Sequence, residues 1–148
     1  RYIKSKYSHI SFSLLGPIEY ESKSEISLNQ IKLWMNEGII NYLGSVDDVR
    51  PHIKESHCVV LPSYREGTPK SLLEAAAMAR PVIATNVVGC KEVVNEGYTG
   101  FLCENKNYIN LAETMEKFIS LRFDEKRKMG LMGRKKVEYK CLNPITIC

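Results

Sequence analysis

No apolar run in this chain approaches the ~20 consecutive residues that a membrane-spanning helix needs. Its start, Arg1-Tyr-Ile-Lys-Ser-Lys, has no apolar core segment of the kind a secretory signal carries. An excess of either charge sign is lacking, with 21 Lys and Arg against 17 Asp and Glu. The formal net charge is +4, which suits an acidic ligand or a membrane surface and gives no argument for nucleic acid. The five cysteines, Cys58, Cys90, Cys103, Cys141 and Cys148, are odd in number and scattered, and no pair has metal-ligand spacing. They read as reduced thiols of a cytosolic protein. There is no internal repeat and no low-complexity linker. No Gly-x-Gly-x-x-Gly follows the first strand pattern, only a lone Gly16, which sets a nicotinamide-dependent oxidoreductase aside.

What is present fits a globular chain: 148 residues, 44% hydrophobic and 26% charged. The length predicts one domain over 1–148, with a core of about 1–140 and an atypical tail, Cys141-Leu-Asn-Pro-Ile-Thr-Ile-Cys148. The chain begins at Arg1 rather than at a methionine, as a piece cut from a longer protein would.

Strand and helix patterns alternate along it. Ile10–Leu15 reads as a buried strand closed by Gly16-Pro17, and a polar loop, Glu19–Glu25, leads to a helix over Ser27–Glu37 with Ile31, Leu33 and Trp34 as its apolar positions. Ile39–Leu43 is a second strand, and Asp47 or Asp48 can cap a short helix running to Glu55. Cys58–Leu61 is an unbroken apolar run, as expected of a strand covered on both faces. A helix over Pro69–Ala79, a strand over Pro81–Thr85, a short helix over Cys90–Asn95 and a strand over Thr99–Cys103 follow. Two amphipathic helices, Tyr108–Leu121 and Asp124–Lys140, close the pattern. Strands separated by helices imply right-handed crossovers and a doubly wound α/β domain with a mainly parallel sheet. Such sheets bind ligands beyond the carboxyl ends of their strands.

The stretch that carries chemistry is Leu61-Pro-Ser-Tyr-Arg-Glu-Gly-Thr-Pro-Lys-Ser-Leu-Leu-Glu74. Thr68 suits the N-cap and Pro69 the first helical position, leaving the N–H groups of Lys70, Ser71 and Leu72 free at a helix start that favours anions. Gly67 lets backbone approach a ligand, and Arg65 and Lys70 add positive charge for a diphosphate. Glu74 lies about five residues into the helix, roughly 7–8 Å along its axis, and a carboxylate there can bridge two vicinal ribose hydroxyls. Glu66 precedes the helix, on the other side of the phosphates, where it would face a transferred sugar. The same segment also fits a strand-loop-helix that serves only to fold, with surface glutamates.

Together with Pro81-Val-Ile-Ala-Thr85, Gly89-Cys-Lys-Glu-Val-Val94 and Gly97-Tyr-Thr-Gly-Phe-Leu102, this segment resembles the carboxyl-terminal, donor-binding half of retaining GT-B glycosyltransferases of family 4, of the bacterial capsule and polysaccharide type. The resemblance covers about Ile10–Val137. It implies that Glu66 contacts the donor sugar, as the catalytic candidate, and that Glu74 holds the ribose. Backbone amides of Gly67, Thr68, Lys70, Ser71 and Leu72, with Arg65 nearby, would hold sugar and phosphates. Gly44-Ser45-Val46 would line the nucleobase, and Gly16 would belong to a glycine turn facing the interdomain cleft.

The reaction implied is transfer of a sugar from a nucleotide diphosphate, UDP being the commonest in the family, to a saccharide or lipid-linked acceptor, with retention and without a metal or other cofactor. The family's amino-terminal acceptor domain, and a strand and loop carrying a phosphate-binding Arg and Lys, have no counterpart in these residues, so the piece alone is expected to be inactive. Ala79 stands where the family often has glycine, Asn86 where it has aspartate and Val88 where it has proline. The implied location is cytoplasmic, peripheral to the inner face of the membrane. The basic clusters Lys126-Arg-Lys128 and Arg134-Lys-Lys136 read either as a solvated face or as a contact for anionic lipid headgroups. The alternative reading of the chain is a non-catalytic nucleotide-binding module or the remnant of a truncated gene. His9, His52 and His57 show no mutual pattern, Trp34 reads as core, and Glu92 as a residue near the start of a short helix, stabilising it through the dipole.

Overall fold

The computed structural model describes residues 1–18 and 26–142, with side chains described to 140. The loop expected at Glu19–Glu25 and most of the 141–148 tail lie outside the described residues. The chain divides into two compact units, Arg1–Val49 and Arg50–Cys148.

In the first unit, α1 (Tyr2–Lys6) precedes β1 (Ser13–Leu15), α2 (Leu28–Asn36) and β2 (Asn41–Gly44). The one-turn α1 is too short to show a hydrophobic period, and among its residues only Ile3 is buried. The Arg1 guanidinium meets the Glu37 carboxylate at 2.9 Å, tying this turn to the end of α2. The first strand is shorter than the apolar run suggests because Ile10 is taken into a turn, its N–H bonding the Tyr7 carbonyl at 3.0 Å. Helix α2 starts where its cap predicts: Ser27 is extended, and its hydroxyl accepts from the Gln30 N–H at 3.2 Å. Ile31 is the buried position of this helix. Trp34 is only half-buried and Leu33 is exposed, so the expected apolar face is narrower than its composition implies.

The second unit carries α3 (Arg50–Glu55), β3 (Val59–Leu61), α4 (Lys70–Ala77), β4 (Val82–Thr85), α5 (Val88–Val93), β5 (Gly100–Cys103), α6 (Tyr108–Ser120) and α7 (Phe123–Leu142). Every strand pair is parallel. Pairing falls into two groups, β1–β2 and β3–β4–β5, where one mainly parallel sheet is expected from the sequence. In the larger group β4 is central and all four of its residues are buried, as an apolar strand covered on both faces should be. Its register pairs Val59 with Val82 on one side and Val82 with Gly100 on the other.

On one face Ile83, Phe101, Phe118 and Met129 form a buried cluster, with Val60, Leu111 and Met115 packed against it. Helix α4 turns Leu72, Ala75 and Ala76 inward. Leu72 is 0% exposed, and burying a leucine of this kind contributes roughly 1.5–3 kcal/mol. Small residues let α7 lie close to α4: a Cβ on Gly130 would overlap the Ala79 carbonyl oxygen. Helix α5 begins two residues before the expected Cys90 and ends at Val93.

Candidate functional site

Because β3, β4 and β5 are parallel, the segments following them emerge at one edge of the sheet. The segment between β3 and α4 is held there at four points. The Thr85 hydroxyl, at the end of β4, donates to the Ser63 carbonyl. The Asn105 amide, just beyond β5, donates to the Tyr64 carbonyl at 3.2 Å, and the Lys106 ammonium sits 5.5 Å from the Tyr64 ring centroid. Gly89, within α5, lies directly against the Glu66–Gly67 backbone, where any Cβ would overlap the Gly67 carbonyl. The Thr68 hydroxyl donates to the Glu92 carboxylate at 3.0 Å.

Two expectations are corrected by that last bond. Thr68 is not the N-cap of α4. Pro69 occupies that place, extended at φ −73° and ψ 121°, with no side chain to accept a hydrogen bond, while the threonine hydroxyl is engaged across the loop. Glu92 lies in the last turn of α5 rather than near its start, so it acts by holding Thr68, not through a favourable helix dipole. A third correction concerns the amides. The Leu72 N–H bonds the Pro69 carbonyl at 3.2 Å and the Leu73 N–H shares that acceptor at 3.3 Å, so the Leu72 amide is turned into the helix. The N–H groups of Lys70 and Ser71 have no hydrogen-bond partner among the described residues. They are the orphan donors of this helix start.

The side chains expected to meet a ligand are available to one. Arg65, Lys70, Ser71 and Glu74 are exposed and Glu66 is half-buried. None of the five side chains makes a hydrogen bond or ion pair with the described residues. Glu74 is the fifth residue of α4, roughly 6 Å along its axis from Lys70. Glu66 lies close enough to the buried Cys90 for its carboxylate to act on that thiol. Burial pushes the Cys90 thiol up first, the Glu66 charge raises it further, and a hydrogen bond with the Thr85 side chain opposes both. Hydrogen bonds thus link Ser63, Thr85 and Cys90, and Glu66 acts on that thiol through its charge.

In the first unit the expected residues also gather. Gly16, with φ +146°, and Gly44, with φ +73°, end β1 and β2, and the Gly16 N–H bonds the Gly44 carbonyl at 2.9 Å. The Tyr42 hydroxyl donates to the Gly16 carbonyl at 2.8 Å. Ser45 is exposed and Val46 half-buried beside this glycine turn. The family departures after β4 are accommodated: the Asn86 N–H reaches the Cys103 carbonyl at 2.8 Å, and Val88 is the first residue of α5.

The spacing of Glu66 and Glu74 does not reveal Gly89, Thr85, Asn105 or Glu92. Gly89 stands just before the helix expected at Cys90–Asn95, and its place inside α5 against another backbone appears only in the structure. Two shallow depressions, of about 240 Å³ lined by Glu96, Asn110 and Lys117 among others and about 230 Å³ lined by Tyr98, Phe101 and Met132 among others, lie elsewhere and include neither glutamate. Among the described residues no three His, Cys, Asp or Glu side chains gather as a metal site, and no helix is long and apolar enough to cross a membrane.

Residues 1–120 match the family described as Glycosyl transferases group 1. The chain is 33% identical over 140 residues to the capsular polysaccharide biosynthesis glycosyltransferase CapM of Staphylococcus aureus, covering 93% of this chain and 36% of that protein. It is 33% identical over 98 residues to the N,N'-diacetylbacillosaminyl-diphospho-undecaprenol alpha-1,3-N-acetylgalactosaminyltransferase of Campylobacter jejuni, covering 66% of this chain and 25% of that one. It therefore spans about a third or less of these relatives. Its fold is that of the carboxyl-terminal domain of a group 1 glycosyl transferase, LpcC, from Francisella tularensis, with TM-score 0.78, 22% identity, and coverage of 95% and 74%. It also matches S. aureus TarM, solved with Fondaparinux, alpha-GlcNAc-glycerol and UDP, with TM-score 0.80, 21% identity, and coverage of 93% and 27%. The parallel α/β architecture expected from the sequence is thus the Rossmann-like half of a GT-B fold, and the chain belongs to the Glycosyl transferases group 1 family.

Proposed function

We propose that these residues are the donor side of a glycosyltransferase that moves a sugar from a nucleotide diphosphate, UDP foremost, to a saccharide or lipid-linked acceptor with retention of configuration. The observation that carries this reading is the unpartnered set on one braced segment: the Lys70 and Ser71 amides, the cations Arg65 and Lys70, and the carboxylates Glu66 and Glu74. Hydrogen-bond donors and positive charge held in place before the reaction stabilise a departing diphosphate at little reorganisation cost. In this reading the amides and cations receive the diphosphate, and no metal is assigned to it. Glu74 accepts from the ribose hydroxyls, and Glu66 faces the sugar at the reacting carbon. By the family resemblance, Ser45 and Val46 of the first unit are assigned to the nucleobase and Gly16 to a glycine turn.

CapM is named for capsular polysaccharide biosynthesis and the Campylobacter relative for transfer to an undecaprenol-linked sugar, which supports a saccharide or lipid-linked acceptor. These 148 residues supply the donor half of the reaction. Since transfer requires donor and acceptor held face to face, they transfer little without an acceptor-binding domain or partner chain.

Titration calorimetry with UDP, GDP and a UDP-sugar tests this. The chain should bind UDP weakly, with or without EDTA. Glu74→Ala should weaken UDP itself about tenfold, whereas Glu66→Ala should leave UDP unchanged and remove the extra affinity of the UDP-sugar. Heat from neither nucleotide would overturn the reading. Unchanged binding by both variants would overturn the roles given to the glutamates.

A further inference from the structure

The start of α4 departs from its own local signal. Thr68-Pro69 has the composition of an N-cap followed by a first helical residue. In that arrangement the cap oxygen accepts from the second or third helical N–H, here Lys70 or Ser71. These are the same two amides that the structure leaves without a partner among the described residues. Pro69 is instead extended, the helix begins one residue later, and the Thr68 hydroxyl donates to the Glu92 carboxylate at 3.0 Å. A local preference overridden by a bond across 24 residues is expected where something other than helix stability is served.

The end of α5 that carries Glu92 is itself fastened by α7. The Lys140 ammonium reaches the Glu92 carbonyl at 2.9 Å, and the Lys136 ammonium reaches the Asn95 side chain at 2.6 Å. Partial desolvation lowers Lys136 first, Lys140 lowers it further, and the charge of Glu92 opposes both, so a cation as well as the hydroxyl feels this carboxylate. The Thr68–Glu92 bond is one hold on the loop among several. The Thr85–Ser63 bond, the Asn105–Tyr64 bond and the Gly89–Gly67 contact do not involve the Glu92 side chain. Losing that carboxylate therefore frees the Thr68 hydroxyl and leaves the segment fastened.

We propose, in a step that rests on the donor-site reading given above, that Glu92 is a positioning residue of that site: by holding the Thr68 hydroxyl it keeps α4 uncapped and leaves the Lys70 and Ser71 amides open to a diphosphate. The negative charge of Glu92 repels such a ligand, so simple electrostatics gives the opposite expectation for its removal, tighter binding rather than weaker.

Amide hydrogen exchange without ligand and calorimetry with UDP test it, on the wild type, Glu92→Ala, Glu92→Gln and the double variant Glu92→Ala/Thr68→Ala. A threonine cap is worth about fivefold in the equilibrium, so in Glu92→Ala roughly one molecule in six keeps the open helix start. The Lys70 or the Ser71 amide should then exchange roughly sixfold more slowly than in the wild type, and UDP should bind roughly sixfold more weakly. Glu92→Gln offers an amide oxygen to the same hydroxyl and should retain most of the affinity. The double variant has no hydroxyl to cap with and should regain what Glu92→Ala loses. Exchange at both amides unchanged by Glu92→Ala would overturn the proposal, and so would UDP binding as tight as in the wild type. A double variant no tighter than Glu92→Ala would reduce the bond to a brace of the loop and overturn it too. No heat from UDP with the wild type would sink the donor reading instead. The exchange rates need no nucleotide and would then decide alone whether Glu92 keeps the helix start open.

Discussion

Gly89 lies so close to Gly67 that a Cβ on the first would overlap the carbonyl of the second and come within 2.6 Å of the Glu66 carbonyl oxygen. The obstacle is backbone on both sides, so no side-chain rotation can relieve it. This contact, together with the bonds to Ser63, Tyr64 and Thr68, sets where Glu66 is held, because the loop has no secondary structure of its own.

Gly89→Ala should therefore act on the site and on stability together. Inserting a methyl group into a packed interior costs about 1–3 kcal/mol, and here the relief must come from displacing the Glu66–Gly67 peptide. Thermal unfolding should show a Tm several degrees lower. The UDP-sugar should lose affinity by more than UDP alone. A variant with unchanged Tm would mean that the loop does not rest on α5.

Ala79 presents the opposite case, a side chain where none is wanted. Helix α4 ends in a Schellman arrangement: the Arg80 N–H bonds the Ala75 carbonyl and the Ala79 N–H the Ala76 carbonyl, both at 2.9 Å. Ala79 adopts φ +54° to complete it. An L-residue in that region costs roughly 1–2 kcal/mol, part of which glycine gives back through its freer unfolded chain. Ala79→Gly should raise Tm by about 1–3 °C and leave nucleotide affinity unchanged. A fall in Tm would show that the alanine methyl contributes packing that outweighs the strain.

Val88→Pro follows from the start of α5. Val88 is the first residue of that helix, Val87 before it is extended at φ −116° and ψ 160°, and the Val88 N–H bonds nothing among the described residues. Proline is favoured at this position and demands an extended predecessor. Val88 is 77% exposed, so little packing is lost. Stability should rise by about 0.4–1 kcal/mol in a denaturant titration, through a less flexible unfolded chain. A decrease would place the Val88 N–H in a bond the fold requires.

These cases also mark how far the sequence is legible. Periodicity and punctuation locate β4 and α6 to within a residue or so, because an apolar run between Pro81 and Asn86, and a repeat ending at Leu121, are local signals. The Glu66–Glu74 pair is likewise visible as spacing. What is not visible is what each polar group chooses among several partners. Thr68 before Pro69 has the composition of a cap, yet its hydroxyl goes to Glu92, which lies 24 residues away and is brought near only by α5 packing on α4. The Thr85–Ser63 bond and the Gly89–Gly67 contact are equally non-local. The five-residue α1 escapes for another reason: one turn with a single buried residue has no period to detect.

The thiols give a prediction that depends on pH. Burial pushes Cys58 up to about 12 from an ordinary value of 9.0, with an Ile83 backbone hydrogen bond and Lys126 opposing it. Burial also raises Cys90 and Cys103. A thiol whose folded value lies above its unfolded one keeps its proton in the native state after the unfolded chain has lost it. The stability associated with the neutral thiol is thus fully present below about pH 9 and declines as pH rises toward 12, by up to about 1.4 kcal/mol per pH unit for Cys58. Denaturant midpoints should fall across that interval in the wild type and fall less in Cys58→Ala. At pH 8 a thiol reagent should modify the buried Cys90 and Cys103 at the rate of unfolding, and the half-buried Cys58 more slowly than an ordinary exposed thiol, since the thiolate is the nucleophile and is withheld in the folded protein. Labelling of Cys58 at pH 8 as fast as that of a free thiol would show that its thiolate is not withheld in the fold.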